Sequence, residues 1–205
     1  MECKITDLEY SAGLMSQSFW FVEFKKYLKL LQSGTLTEDM RRILVDENLF
    51  GLPNEYRAKR IYQYITKRAS ALDLAGVELF FSSDLQTQKL INLLCILRQD
   101  RLFFEFLDEV YREKVILGAG CLEQSDGKVF MRAKEAQSEE IAGWADTTKR
   151  KLLGCYFNFL TDCGLLTVVG KQKTLTPPLL DIAFEQYLLA HNEESIRKAL
   201  MGVRS

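Results

Sequence analysis

Leu90–Leu97 is apolar at every position except Asn92. Arg98, Gln99, Asp100 and Arg101 follow at once, and then a phenylalanine-rich stretch. A segment that is apolar nearly all round has to be covered all round, so this run predicts a helix buried at the centre of a helical domain. It is too short, and too soon charged, to cross a bilayer. Past Asp100 the pattern becomes amphipathic. Leu102, Phe103, Phe106, Leu107, Val110 and Tyr111 share one broad helical face, opposite Glu105, Asp108, Glu109 and Arg112.

With 205 residues, 47% of them hydrophobic, the chain can bury a substantial core in one large domain or two small ones. Its five cysteines (Cys3, Cys95, Cys121, Cys155, Cys163) form an odd set without a closely spaced pair, and no secretory signal precedes them. That usage predicts a reduced, cytoplasmic setting, with Cys95 and Cys155 as small core residues. There is no CxxC, and the single histidine, His191, is remote from other ligand types in sequence, so no metal or other cofactor is expected.

Three prolines and apolar spacings of three and four predict a mainly α chain. Helices are expected over 16–32, 37–48 (capped by Thr37), 54–72, 86–98 and 100–115. The turn Gly51, Leu52, Pro53 joins two of them in a helix-turn-helix-like arrangement. Gly118, Ala119, Gly120 and then Ser125, Asp126, Gly127 suggest a boundary that separates a helical domain, 1–117, from a second one, 118–205. In the second, helices over 127–136, 138–144 and 147–162 (capped by Asp146) precede a strand over 165–169. A turn through Gly170, Lys171, Gln172 and Lys173 returns into 174–176 before Pro177 and Pro178. Three helices followed by a small β-hairpin is a winged-helix-like order, and the remaining residues read as terminal helices.

The net charge of −1 gives no general attraction to nucleic acid, but the charge is segregated. Residues 54–72 hold five cations against Glu55, and residues 147–175 hold five against Asp162. Each stretch therefore carries +4 and the rest of the chain −9. In the first, Ala58, Ile61, Ile65, Ala69 and Leu72 form an apolar face while Arg57, Arg60, Tyr64, Lys67 and Arg68 gather on another. Such a face can meet phosphates and stack on bases, or simply be solvated. In the second, Lys149, Arg150 and Lys151 lie at a helix start, where cations oppose the helix dipole and do not stabilise the helix itself. Leu152, Leu153, Tyr156, Phe157, Leu160 and Cys163 supply its core stripe, and Lys171 and Lys173 mark the hairpin tip.

Enzymatic motifs are missing. Gly118, Ala119, Gly120 lacks the third glycine and the flanking strand of a dinucleotide site, so it reads as a hinge loop. No GxxxxGK[ST] or GxSxG occurs, and Glu105, Asp108, Glu109 and Glu113 are spaced as a solvated helix face.

The string LLCILRQDRLFFEFLDEVYREKVILG resembles the BrxA family of bacteriophage exclusion (BREX) systems. Further matching fragments are Tyr10–Leu14, Glu23–Lys26, Glu47–Phe50, the Arg57, Lys59, Arg60, Ile61 set, Trp144 with Thr148, and Gly164–Leu166. The resemblance implies a prokaryotic, mostly helical, non-enzymatic protein encoded beside a methyltransferase and large ATPases, acting with them against phage and associated with nucleic acid. It brings no catalytic residues with it. The expectation is a non-catalytic component that binds double-stranded DNA, mainly through phosphates, with other BREX proteins as further partners and no membrane. Two alternatives stay open: RNA as the polymer, or a protein-interaction adaptor anchored by exposed aromatics at Trp20, Phe21, Phe80 and Phe81.

Overall fold

The computed structural model describes residues 5–203, and Cys3 lies outside them. The chain forms two compact units, one made of Trp20–Asp84 and the other of the described residues on either side of it. They do not separate at Leu117 and Gly118. Past that turn, Leu122 N–H donates to the Lys173 carbonyl (2.9 Å) and Leu175 N–H donates to the Gly120 carbonyl (3.2 Å), so the hinge-like glycines lead straight into backbone pairing.

Within Trp20–Asp84, α1 (Phe21–Gln32) begins later than its apolar spacing predicts, because Trp20 stands in the left-handed region at φ 43°. Next, α2 (Thr37–Arg41) runs into a π-helical turn, Arg42–Asp46. Thr37 is the first residue of α2, not its cap: Leu36 holds that position, and its carbonyl accepts from Asp39 N–H at 2.9 Å. The Asn48 side chain closes the following loop by accepting from Leu52 N–H (2.9 Å) and donating to its carbonyl (3.0 Å). Asn54 then caps α3 (Glu55–Ala69) through Arg57 N–H. A helix absent from the sequence reading follows, α4 (Leu74–Ser82), capped by Asp73; nearly all its residues are apolar or small, so no periodic face announces it. Phe24, Leu28, Met40, Ile61, Ile65 and Phe80 are buried in this unit, with the Phe24 and Phe80 rings edge to face at 5.7 Å.

The other unit contains 3-10 turns at Ile5–Asp7 and Gly13–Ser16 and the buried run, α5 (Leu85–Leu97). Every residue from Leu90 to Leu97 is buried, and the polar interruption is satisfied: Asn92 Nδ2 donates to the Phe19 carbonyl at 2.9 Å. Asp100 caps α6 (Arg101–Phe106), which continues through a π-helical turn, Leu107–Arg112, into α7 (Glu113–Ile116). The expected face is buried, but Glu105 is not solvated. Its residue is 8% exposed, and the carboxylate accepts from Arg101 (2.7 Å) and Tyr10 (3.1 Å) and pairs with Lys134 (2.7 Å).

After Leu122 come α8 (Gln124–Gln137), started by a Glu123–Asp126 capping box, and α9 (Glu139–Ala142), capped by Ser138. The long α10 (Asp146–Asp162) has Ala145 at its cap, so Asp146 is its first helical residue and makes no cap bond. Phe103 stacks on Tyr156 at 4.7 Å, and Phe106 packs against Phe130, Tyr156 and Phe157 at 5.3–5.8 Å, which locks α6, α8 and α10 together. Strands β1 (Leu166–Val169) and β2 (Gln172–Leu175) form an antiparallel hairpin in which Val169 faces Gln172. Gly170, at φ 62°, opens the resulting two-residue turn. Cys121 bridges to Thr174, so the hairpin gains a short third edge on the β2 side. Last come α11 (Ile182–Ala190), capped by Asp181, and α12 (Glu194–Met201), which packs on the 107–112 turn.

Candidate nucleic-acid interface

Of the proposed α3 contacts, Arg57, Arg60 and Lys67 are exposed, as the helical wheel requires. Tyr64 is half-buried and stacks on Trp20 at 5.6 Å, with the Arg60 guanidinium 5.9 Å from its ring centre. Arg68 does not belong to the outer face. It is 1% exposed, and its guanidinium lies 5.8 Å from the Trp20 ring centre, a cation–π contact inside the unit. The aromatic quartet expected to be exposed is also largely internal: Phe80 is fully buried, while Trp20, Phe21 and Phe81 are half-buried.

The second set belongs to the other unit, and its members separate by role. Lys149 is only 9% exposed; its Nζ pairs with Glu135 at 2.9 Å and reaches the Ala142 carbonyl at 3.4 Å. The i, i+3, i+4 geometry that buries Leu152 and Leu153 draws Lys149 inward beside them. Arg150 and Lys151 point outward and form no ion pair among the described residues. Lys171 is exposed in the hairpin turn. Lys173 sits within β2, not at the tip: its Nζ lies 5.4 Å from the Phe157 ring centre and donates to Thr161 Oγ1 at 3.4 Å.

Alpha-helical packing explains how these groups are carried. Gly127 lets α8 approach α10 closely, because a Cβ there would stand 3.1 Å from Leu153 and 3.3 Å from Phe157. Above that contact lies an open cleft of about 470 Å³ whose walls carry Lys128, Arg132 and Glu135 from α8 and Asp146, Lys149 and Arg150 from α10. Lys128 and Arg132 were missed in the sequence, where they lie outside both +4 stretches; their i, i+4 spacing on the outer face of α8 was the available signal.

Two thiols of this unit, Cys155 and Cys163, are not poised for reaction. Burial pushes Cys163 up to about 12 and also raises the half-buried Cys155, which is less enclosed than its reading as a core residue implied. Among the described residues no group of three or more His, Cys, Asp or Glu side chains gathers where it could hold a metal ion. None of their helices is long and apolar enough to cross a membrane.

The sequence model of the BrxA family matches residues 8–192. A protein described as "BREX protein BrxA" from Bacillus cereus (strain H3081.97) is 31% identical over 193 residues, which span 94% of this chain and 96% of that one. The crystal structure of an uncharacterized protein from Magnetospirillum magneticum superposes with a TM-score of 0.80 at 19% identity, covering 96% of this chain and all of the other. That likeness concerns the fold.

Proposed function

This chain belongs to the BrxA family, and from that premise we propose that it is a non-catalytic component of a BREX phage-defence system that binds double-stranded DNA, chiefly through phosphates. The carrying observation is the exposure of Arg150 and Lys151 at the start of α10, and of Lys171 in the hairpin turn of the same unit, with no ion pair to neutralise them among the described residues. The order of elements supports a winged-helix reading. A short bridging segment at Cys121 precedes α8, α9, α10 and the hairpin, and it pairs with β2, so the hairpin strands follow the helices as a wing follows a recognition helix. On that reading α10 presents its first turns to a groove while Lys171 meets the backbone beside it.

Phosphate contacts of this kind fix position and carry little sequence information, so binding is weakly selective and strongly dependent on salt. The exposed Arg57, Arg60 and Lys67 of α3 form a second candidate surface on the other unit. A different observation favours the adaptor alternative, docking onto the BREX methyltransferase or ATPase: Leu179 is 99% exposed, and Ile182 and Leu189 are also exposed on α11. Titration of the purified protein against duplex DNA, single-stranded DNA and RNA at several salt concentrations separates the readings. Duplex binding that weakens steeply with salt is the expected result, preference for RNA would replace the polymer, and binding to none of the three would leave the adaptor.

A further inference from the structure

The acids of α8 are drawn away from its outer cations. Asp126 pairs with Lys114 (2.9 Å) and Glu135 pairs with Lys149 (2.9 Å). Lys128 and Arg132 remain, one helical turn apart and exposed, with no ion pair among the described residues. Like charges at i, i+4 cost a helix a few tenths of a kcal/mol, so this pair does not serve α8 itself. Both side chains line the cleft that Arg150 enters from α10. The cleft carries four cations against Glu135 and Asp146, and its two walls are tied together by the Glu135–Lys149 pair. A site whose walls are fixed before binding spends little free energy on ordering.

We propose that this cleft seats a phosphodiester of the duplex backbone, held by Lys128 and Arg132 from α8 together with Arg150 from α10. The assignment rests on the DNA-binding reading and extends it, because it makes α8 a second contact element outside both charge-rich stretches. Guanidinium and ammonium groups converging on one concavity suit a phosphate, whose oxygens accept several charge-assisted hydrogen bonds at once.

The test compares full-length wild type with Lys128→Ala/Arg132→Ala and with Arg150→Ala/Lys151→Ala. Anisotropy of a labelled duplex is read between 50 and 200 mM salt, with a parallel titration of inorganic phosphate. Alanine at exposed helical positions preserves α8, which circular dichroism and thermal unfolding verify. Loss of this one phosphate contact should flatten the log–log salt slope by about 0.9, so the wild type's advantage over the α8 variant shrinks roughly 3.5-fold across that salt range. An unchanged slope in the α8 variant, with weakened binding in the α10 variant, would overturn the cleft assignment and leave the DNA-binding reading standing. No duplex binding by the wild type would overturn both. Inorganic phosphate binding that needs Lys128 and Arg132, with equal duplex affinity in wild type and variant, would make the cleft a site for a small free anion and overturn the duplex assignment.

Discussion

Lys149 Nζ lies 2.9 Å from a Glu135 carboxylate oxygen, so the first cation of the Lys149, Arg150, Lys151 run is neutralised within the fold while its two neighbours face outward. Three consecutive basic residues on a helix cannot share a face, because each step turns about 100°. The run therefore divides into one residue that joins α10 to α8 and two that are open to a ligand.

Lys149→Ala should accordingly behave as a stability mutation. Removal of a cation that is nearly buried and bonded to Glu135 and the Ala142 carbonyl is expected to cost about 2 kcal/mol, read as a lowered midpoint in urea. The salt slope for duplex DNA should stay at its wild-type value. A slope reduced by about one, with unchanged stability, would return Lys149 to the contact surface.

Arg150, Lys151 and Lys171 have the opposite signature. Changed together to alanine they should leave the urea midpoint within about 0.5 kcal/mol of wild type, since they are exposed and outside the buried stripe. The salt slope should fall by about 2.7, and duplexes of unrelated sequence should be affected equally. If Arg57→Ala/Arg60→Ala/Lys67→Ala abolishes binding and this variant does not, the α3 surface is the DNA contact and the wing reading is wrong.

The residues of α5 and α6 show why so much of the fold was legible. The apolar run and the Phe103, Phe106, Leu107, Tyr111 face are dictated by local period, and a period can be read without knowing the partner. Polar interiors cannot be read that way. Glu105 and Lys134 look like surface residues by type, and what makes their burial tolerable is their pairing with each other and the Tyr10 hydroxyl on Glu105, all far apart in sequence, with Arg101 one helical turn away adding its bond. Arg68 was misplaced for the same reason, since the ring that receives it belongs to Trp20, far off in sequence. At the candidate site the exposed members of each charged run were legible by wheel geometry. The cleft was not, because it exists only once α8 and α10 pack together through the Gly127 approach and the Glu135–Lys149 pair, and Lys128 and Arg132 lie in a stretch of unremarkable net charge.

Arg68→Ala is expected to destabilise the protein by about 2–3 kcal/mol through lost packing of its stem and lost contact with Trp20, without flattening the salt slope for DNA. Tryptophan fluorescence should shift as the Trp20 ring loses its cover. A variant of wild-type stability with weaker, less salt-dependent binding would place Arg68 at the phosphates after all.

The Glu105–Lys134 pair predicts how stability responds to acid. Burial alone would raise the Glu105 carboxyl, but hydrogen bonds from Lys134, Arg101 and Tyr10 outweigh it and hold the group below the usual carboxylate range. Its proton is therefore bound at lower pH in the folded chain than in the unfolded one. The contribution is complete above the unfolded value near 4.3 and is lost as pH falls through the depressed folded value. Lys134 is raised by Glu105 and Glu109 against its own burial, so its share is complete below about 10.4 and is lost only as pH rises through the folded value. Asp108 and Asp162, raised by burial, act in the opposite sense to Glu105 in acid. A comparison of wild type with Glu105→Gln isolates the one group. Urea unfolding between pH 3 and 7 should show the variant less stable by about 3 kcal/mol at neutral pH, because Lys134 keeps only the half-exposed Glu109. The gap should narrow below about pH 4.3, as the wild-type carboxyl takes up its proton. Two curves that stay parallel through that window would show that the Glu105 charge contributes nothing to stability and that its hydrogen bonds act through shape alone.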